Sequence, residues 1–230
     1  MDSVTNTDNR RKLVAYVLPF VVFILWLAPM PLLKKLGDSF WFQTPEHWLF
    51  PAQTICCAAL LFWYWREYEL HRLARVFFTL AIGVLVCVIW ISPQAFFGVA
   101  ARTDGFNPDI FAEGSAAYWG AIGMRFLRLV IIVPLVEEIF WRGFLLRYLI
   151  NEKFSDVPFG AFSWLSFGAV TVGFTLAHSS ADWPAAAITG VLYNCVAYYT
   201  KSLRSCVLAH AVTNLLLGIW IMQTKQWGFW

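Results

Sequence analysis

The sequence predicts an all-α polytopic membrane protein, a bundle of about seven transmembrane helices. Of its 230 residues, 60% are hydrophobic and only 13% are charged, which is more apolar surface than a soluble domain of this length can bury. Apolar runs of roughly 20 residues follow one another, the length that an α-helix needs to cross about 30 Å of hydrocarbon. These runs do not alternate polar and apolar residues, as membrane β-strands do.

The proposed spans cover about residues 13–33, 48–65, 76–98, 122–147, 160–178, 184–200 and 203–222. The first span is longer than the apolar core of a signal peptide and lacks a small-residue cleavage site, so we expect it to remain a span. No repeat or linker divides residues 1–230, which predicts a single membrane domain. Residues 1–118 form its first three spans and an outer loop, and residues 119–230 form its motif-bearing core.

The basic residues lie at the ends of hydrophobic segments, which is typical of topology determinants and not of a nucleic-acid-binding patch. With the amino terminus in the cytoplasm, most of the 17 lysines and arginines fall on the inner side, and Lys34, Lys35, Arg102 and Lys225 fall on the outer side. We therefore expect the amino terminus inside and the carboxyl terminus outside. The acidic connection at residues 100–117 is then an outer loop and a candidate lid.

The segment from Arg128 to Arg147 is the most unusual, because Glu137, Glu138 and Arg142 interrupt an apolar run. An ionised side chain near a bilayer centre costs about 2.5 to 3.5 kcal/mol on insertion scales, so these three groups need a physical reason. Glu138 and Arg142 are four residues apart on one helix face and can neutralise each other. Glu137 lies about 100° round the helix. A carboxylate without such a partner in apolar surroundings is suited to proton transfer near neutral pH.

Two further polar pairs occur on later spans. Phe174 and His178 are spaced F-x-x-x-H before a break at residues 179–184, and a lone histidine at a helix end is more often structural than catalytic. His210 and Asn214 are spaced H-x-x-x-N on the last span, so both heads should point into the bundle from one face. Taken alone, the second pair fits an interhelical hydrogen bond as well as a catalytic site.

Together these groups are what hydrolysis of an amide by water requires. A carboxylate can take a proton from water, imidazole can orient that water or bind a metal, and N–H groups can stabilise an oxyanion. In chain order, E-E-x-x-x-R, F-x-x-x-H and H-x-x-x-N resemble the three motifs of the CPBP family, over about residues 125–217. This family comprises the type II CAAX prenyl endopeptidases and the bacterial Abi or bacteriocin-processing membrane proteins.

The resemblance implies an intramembrane endopeptidase that hydrolyses a peptide bond near the carboxyl-terminal region of a membrane-associated protein or peptide. Its implied site residues are Glu137 as the water-activating base, Glu138 and Arg142 as supporting residues, and His178, His210 and Asn214 as the remaining groups. The short, tryptophan-rich chain is also similar to the CAAX-protease-related proteins that accompany exosortase-type sorting systems in Gram-negative bacteria. That narrower likeness predicts a role in protein sorting at the bacterial inner (cytoplasmic) membrane.

The residues leave metal dependence open. No H-E-x-x-H motif occurs, although His178, His210 and Glu137 could supply three zinc ligands. Glu138 would then have to be the base, and its arginine partner makes it a poor one. We therefore expect no cofactor, with zinc as the alternative; in the metal-free site His178 and Glu137 hold the water, and His210 with Asn214 forms the oxyanion site.

The depth of His178 is a difficulty for a shared site. At about 1.5 Å per residue, a fifth span beginning near residue 160 would put His178 nearly 27 Å from the inner side, far from Glu137. The simplest resolution is a shorter fifth helix that begins near residues 165–167 and breaks at mid-depth after His178, beside a wet cavity.

Arg125 and Arg128 lie on the outer half of the fourth span. We expect them to snorkel to lipid head groups, and the alternative is that they bind a substrate carboxylate. A proton-coupled transporter could use the same ionisable groups, although no inverted repeat is present. A catalytically silent binding or immunity membrane protein could keep the motifs as structural hydrogen bonds.

Overall fold

The computed structural model describes residues 2–230, with side chains from residue 9 onward. The predicted fold class is confirmed: the chain is an all-α bundle, and residues 2–230 contain no β-strand. Its first part consists of α1 (Asp2–Leu27), α2 (Met30–Leu33), α3 (Phe40–Gln43), α4 (Glu46–Trp63) and α5 (Val76–Phe96). Its last part consists of α9 (Trp164–Leu176), α10 (Trp183–Thr200) and α11 (Leu203–Thr224).

Between these parts runs one long helix, residues 116–148, which we call the central helix. It alternates α-helical and π-helical pieces: α6 (Ala116–Phe126), a π-helix at Leu127–Ile132, α7 (Val133–Glu138), a π-helix at Ile139–Leu145 and α8 (Leu146–Tyr148). The sequence predicted a shorter and uniformly α-helical span here. π-Helical turns are rare, and they are frequent at functional sites.

Each proposed span contains a helix, and three helices in the described part are both long and apolar enough to cross a membrane: Asn9–Leu33, Val76–Phe96 and Leu203–Thr224. The chain is therefore an integral membrane protein. Helix α9 is apolar but has only 13 residues. The shortening that the depth of His178 required is thus confirmed, because α9 begins at Trp164 and ends before a 3₁₀ turn at Ser180–Asp182.

The helices pack in pairs around the central helix. Helix α11 packs most extensively on α5, α10 packs on α9, and α1 packs on α4. Gly83 allows the first of these contacts, because a Cβ atom there would lie 2.7 Å from the carbonyl oxygen of Ala209 on α11. Small residues commonly permit such close approach of membrane helices.

A polar cluster closes the bundle at the Arg147 end of the central helix. Arg147, 2% exposed, donates from Nε to the Val157 carbonyl (2.8 Å) and from Nη2 to Glu69 Oε2 (3.0 Å). Lys12 Nζ lies 3.2 Å from Glu69 Oε1. Burial by itself would raise the pKa of Glu69, but the positive charges of Arg147 and Lys12 outweigh it and lower the pKa below its usual value.

The opposite end is closed by three segments that hold one another. The Arg102 backbone binds the Gly228 N–H (2.9 Å), and the Arg102 guanidinium pairs with Asp182 Oδ1 (2.6 Å) and lies over the Phe229 ring. The loop after α5, the turn after α9 and the chain after α11 therefore meet above the bundle. This arrangement keeps the loop at residues 100–117 a candidate lid.

Candidate functional site

The core of the site is the ion pair between Glu138 and Arg142. Arg142 Nη1 donates to Glu138 Oε1 at 3.0 Å, and both side chains are 0% exposed. The neutralisation predicted from their spacing is confirmed. Since a buried charge is tolerable only when it is paired and hydrogen-bonded, this contact explains how the helix holds two of its three ionised groups.

Helix α10 supplies the remaining partners of Arg142. Its Nε donates to Asn194 Oδ1 at 3.1 Å, and its Nη2 donates to the Gly190 carbonyl at 3.4 Å. Asn194 in turn donates to Thr171 Oγ1 on α9 at 3.2 Å. The guanidinium therefore joins the central helix, α10 and α9, and it lies 4.9 Å from the centre of the Phe174 ring.

His210 on α11 contacts the same carboxylate. Its Nδ1 lies 2.9 Å from Glu138 Oε1, and the imidazole is buried with 6% exposure. A carboxylate accepts hydrogen bonds, so Nδ1 carries the proton and Nε2 is left free for other contacts. Glu138 thus orients the imidazole of His210. The sequence predicted only its contact with Arg142.

Glu137 is arranged differently from Glu138. Its side chain is half-buried and lines a cavity of about 370 Å³. Among the hydrogen bonds and ion pairs of the described residues, none involves its carboxylate. The cavity is also lined by His178, His210 and Asn214, so the structure brings together four of the six predicted site residues, with Glu138 and Arg142 directly behind them.

His178 enters this cavity from the end of α9. Its Nδ1 lies 2.8 Å from the Phe174 carbonyl, one turn earlier, and its ring packs against Phe174 and Trp90. Since a carbonyl can only accept, Nδ1 carries the proton, and Nε2 of the neutral ring has a free lone pair. The break after α9 is held by Trp183, whose indole N–H donates to the His178 carbonyl at 3.1 Å.

Asn214 is one helical turn from His210 on the cavity face of α11. Its Nδ2 donates to the Leu129 carbonyl at 2.7 Å. Leu129 lies in the first π-helical piece of the central helix, where the hydrogen-bond pattern differs from that of an α-helix. One amide N–H of Asn214 is thus used structurally, and the second remains for a ligand.

The expectation that Arg125 and Arg128 snorkel to lipid head groups is wrong. Arg125 is 3% exposed and Arg128 is 6% exposed, and both line the cavity. Arg128 Nε donates to Gln53 Oε1 on α4 at 2.7 Å. Snorkelling requires the face toward lipid, whereas packing of α4 against the central helix turns these side chains inward.

The predicted zinc alternative finds no preformed ligand set. Among residues 9–230, no three His, Cys, Asp or Glu side chains come together as a metal site would require. His178 Nδ1 and His210 Nδ1 contact the Phe174 carbonyl and Glu138, which leaves Nε2 of each imidazole as the nitrogen available to a ligand. A zinc site would need a third ligand beside these nitrogens, and no His, Cys, Asp or Glu of residues 9–230 is placed to complete the set.

Several groups near the site were not singled out by sequence reasoning. Asn194 on α10 is a hydrogen-bond partner of Arg142. Trp90 Nε1 donates to Thr189 Oγ1 at 2.9 Å on the cavity wall, and Gln53 fixes Arg128. In the sequence, each of these residues has a side chain with a polar group in an apolar helix. Such a side chain is expected to form a buried hydrogen bond, but the sequence does not identify the residue to which it bonds.

The comparisons with known proteins agree with the motifs. The family model described as type II CAAX prenyl endopeptidase Rce1-like matches residues 119–216, a stretch that contains all six predicted site residues. No curated protein and no solved structure matches the chain. The predicted family resemblance is confirmed over this stretch, and the narrower exosortase-associated likeness stays a prediction.

Proposed function

We propose that this integral membrane protein, whose residues 119–216 match the Rce1-like protease family, is an intramembrane endopeptidase that cleaves a membrane-associated protein or peptide near its carboxyl-terminal region. One observation supports this most strongly. Glu137 lines a cavity beside His178 and His210, and no cation of residues 9–230 forms an ion pair with it, whereas the adjacent Glu138 is fully buried and paired. Two neighbouring carboxylates in such different surroundings suit two different roles.

In the proposed reaction, Glu137 and His178 hold the attacking water. The free lone pair of His178 Nε2 accepts one hydrogen bond from that water, and the Glu137 carboxylate accepts the proton that the water loses. The resulting hydroxide adds to the carbonyl carbon of the scissile amide. Positioning by two groups on different helices lowers the entropic part of the barrier.

The carbonyl oxygen then becomes an oxyanion. We assign its stabilisation to His210 and Asn214: His210 donates from Nε2 when both of its ring nitrogens carry a proton, and the second amide N–H of Asn214 is the other donor on this wall of the cavity. Glu138 is a positioning residue, because it holds His210 through Nδ1. Collapse of the intermediate breaks the C–N bond, and Glu137 returns its proton to the departing amine.

This mechanism needs no metal, and the lack of a three-ligand cluster among residues 9–230 supports it. We further propose that the chain lies in a bacterial inner membrane with its amino terminus in the cytoplasm and its carboxyl terminus outside, following the distribution of basic residues. The substrate then reaches the cavity from within the bilayer, and the segment at residues 100–117 covers the outer end.

The proposal can be tested by comparing purified wild type with Glu137→Gln in detergent micelles. The assay measures cleavage of a degenerate library of internally quenched peptides. We expect wild type to hydrolyse the library and Glu137→Gln to be slower by about 10² to 10⁴, the usual loss for a general base. Glu113→Gln is the matched control, since Glu113 is exposed in the outer loop. Wild-type turnover by Glu137→Gln would refute the assignment, and a wild type that cleaves nothing would favour a silent binding protein or a transporter.

A further inference from the structure

Beyond the proposed catalytic groups, the cavity contains two buried arginines that the reaction does not use. We propose that Arg125 and Arg128 form a binding site for a carboxylate of the peptide substrate, located on the Arg125 side of the scissile bond. The inference rests on the proposed function, since it concerns how that same cavity selects its substrate. It assigns a role to cations that the fold buries at a cost.

Arg125 is the stronger observation. Its side chain is 97% buried, and its Nε and Nη1 atoms have no hydrogen-bond partner among the described residues. The guanidinium lies over three aromatic rings, 4.5 Å from the centre of Phe50, 5.1 Å from Phe106 and 5.9 Å from Trp230. Rings offset part of the charge, but they leave the N–H groups without acceptors.

Arg128 adds a second positive charge three residues away. Its Nε is fixed by the neutral Gln53 amide at 2.7 Å, and its guanidinium lies 4.4 Å from the centre of the Phe50 ring. The ion pairs of residues 9–230 include neither arginine. The negative charges of Glu46 and Glu137 act on Arg125 and Arg128 respectively, but without direct contact. Glu46 pairs with Lys34 at 3.3 Å, and no ion pair among residues 9–230 includes Glu137.

This end of the cavity therefore holds two buried cations that no carboxylate of residues 9–230 contacts directly. A buried ion is costly unless an opposite charge pairs with it, so the favourable occupant is an anion. A planar guanidinium matches a carboxylate particularly well, because two parallel N–H groups can donate to its two oxygens. Apolar rings around both arginines favour an anion attached to an apolar chain over a fully hydrated ion.

The spacing sets where the carboxylate lies in the substrate. Arg125 and Arg128 precede Glu137 by 12 and nine residues, about 18 and 14 Å along a helix. An extended peptide advances about 3.3 Å per residue, so the carboxylate lies about four to five residues from the scissile bond. The site would then measure the distance from an acidic group, terminal or side-chain, to the bond that is cut.

Binding can be measured without turnover by using Glu137→Gln, which keeps the cavity. The probes are two pools of dansyl-labelled decapeptides of identical degenerate sequence without acidic residues, one with a free carboxyl terminus and one with a carboxamide. We expect fluorescence polarisation to show at least about tenfold tighter binding of the acid pool, the effect of a charge-assisted hydrogen bond. Adding Arg125→Gln or Arg128→Gln should remove this preference, and adding Arg204→Gln should not, since Arg204 is exposed on α11.

Equal binding of the two pools by the parent protein would overturn the proposal even if wild type is an active peptidase. Wild type could fail to cleave the quenched-peptide library while the parent protein still binds the acid pool more tightly in a way that depends on Arg125. The carboxylate site would then stand, and the peptidase assignment would fail. A lipid phosphate is tested in nanodiscs of phosphatidylglycerol or phosphatidylcholine. The site would be assigned to lipid, and the substrate role refuted, by two results together. Phosphatidylglycerol would raise the melting temperature in a way that Arg125→Gln abolishes, and the acid and amide peptide pools would bind equally.

The test remains valid even if an arginine variant fails to fold. The comparison of acid with amide in the parent protein needs no arginine substitution. Arg128→Lys keeps the charge but loses the two-pronged geometry, so it should retain only part of the acid preference. A full preference in Arg125→Gln and in Arg128→Gln would show that another group recognises the carboxylate.

Discussion

Removing the cation from the Glu138–Arg142 pair is the most direct test of the buried network. Both side chains are 0% exposed and 3.0 Å apart, so Arg142→Met leaves a fully buried carboxylate with His210 as its remaining partner among residues 9–230. Breaking a fully buried pair in this way costs about 3 to 5 kcal/mol. We therefore expect Arg142→Met to lower the free energy of unfolding by about 4 kcal/mol.

The double variant Glu138→Gln/Arg142→Met separates charge from packing. It contains no buried ion from the pair, and the new amide can still bind His210. We expect it to be more stable than the sum of the two single changes by about 2 kcal/mol, the coupling typical of contacting buried groups. Unfolding in mixed detergent micelles, followed by tryptophan fluorescence, measures all four species.

Arg11→Met is the matched control, because the Arg11 side chain is 60% exposed in its ion pair with Glu67 and should contribute no more than about 1 kcal/mol. If the two single changes in the buried pair add to the double within about 0.5 kcal/mol, the two groups are not coupled. The explanation for how charged groups are tolerated in this helix would then be wrong.

Two further predictions concern packing and pH. Gly83→Ala should destabilise the fold by about 1 to 3 kcal/mol, because its Cβ would meet the Ala209 carbonyl at 2.7 Å. Gly168→Ala is the control, since its Cβ would meet nothing within 4 Å, and it should be neutral or stabilising. Equal melting temperatures for the two variants would contradict the close α5–α11 contact. The lowered pKa of Glu69 should stabilise the fold fully above the unfolded value of 4.5, and this contribution should vanish as the pH falls through the lower folded value. The difference in unfolding free energy between wild type and Glu69→Gln, measured from pH 7 down to pH 3, should therefore shrink below about pH 4.5; a difference that grows on acidification would show that the sign is wrong.

The all-α membrane fold and the identity of the candidate site groups were predictable from the sequence alone. Apolar runs long enough to cross a bilayer leave few alternatives, because lipid offers the backbone no hydrogen bonds outside helices and closed barrels. Ionisable groups inside such runs are costly enough to stand out, so Glu137, Glu138 and Arg142 were visible without coordinates. Spacing of four residues also predicted the pairing of Glu138 with Arg142, since that contact lies within one helix.

The contacts between helices could not be predicted in this way. The side chain of Glu138 also contacts His210, and Arg142 also contacts Asn194, across 72 and 52 residues of chain. No local pattern specifies such contacts, because they depend on how helices pack. The π-helical pieces of the central helix were equally invisible, although the Asn214 contact to Leu129 lies in one of them. For Arg125 and Arg128 the sequence favoured lipid, whereas packing against α4 places both side chains in the cavity wall, because Gln53 on α4 holds Arg128 there.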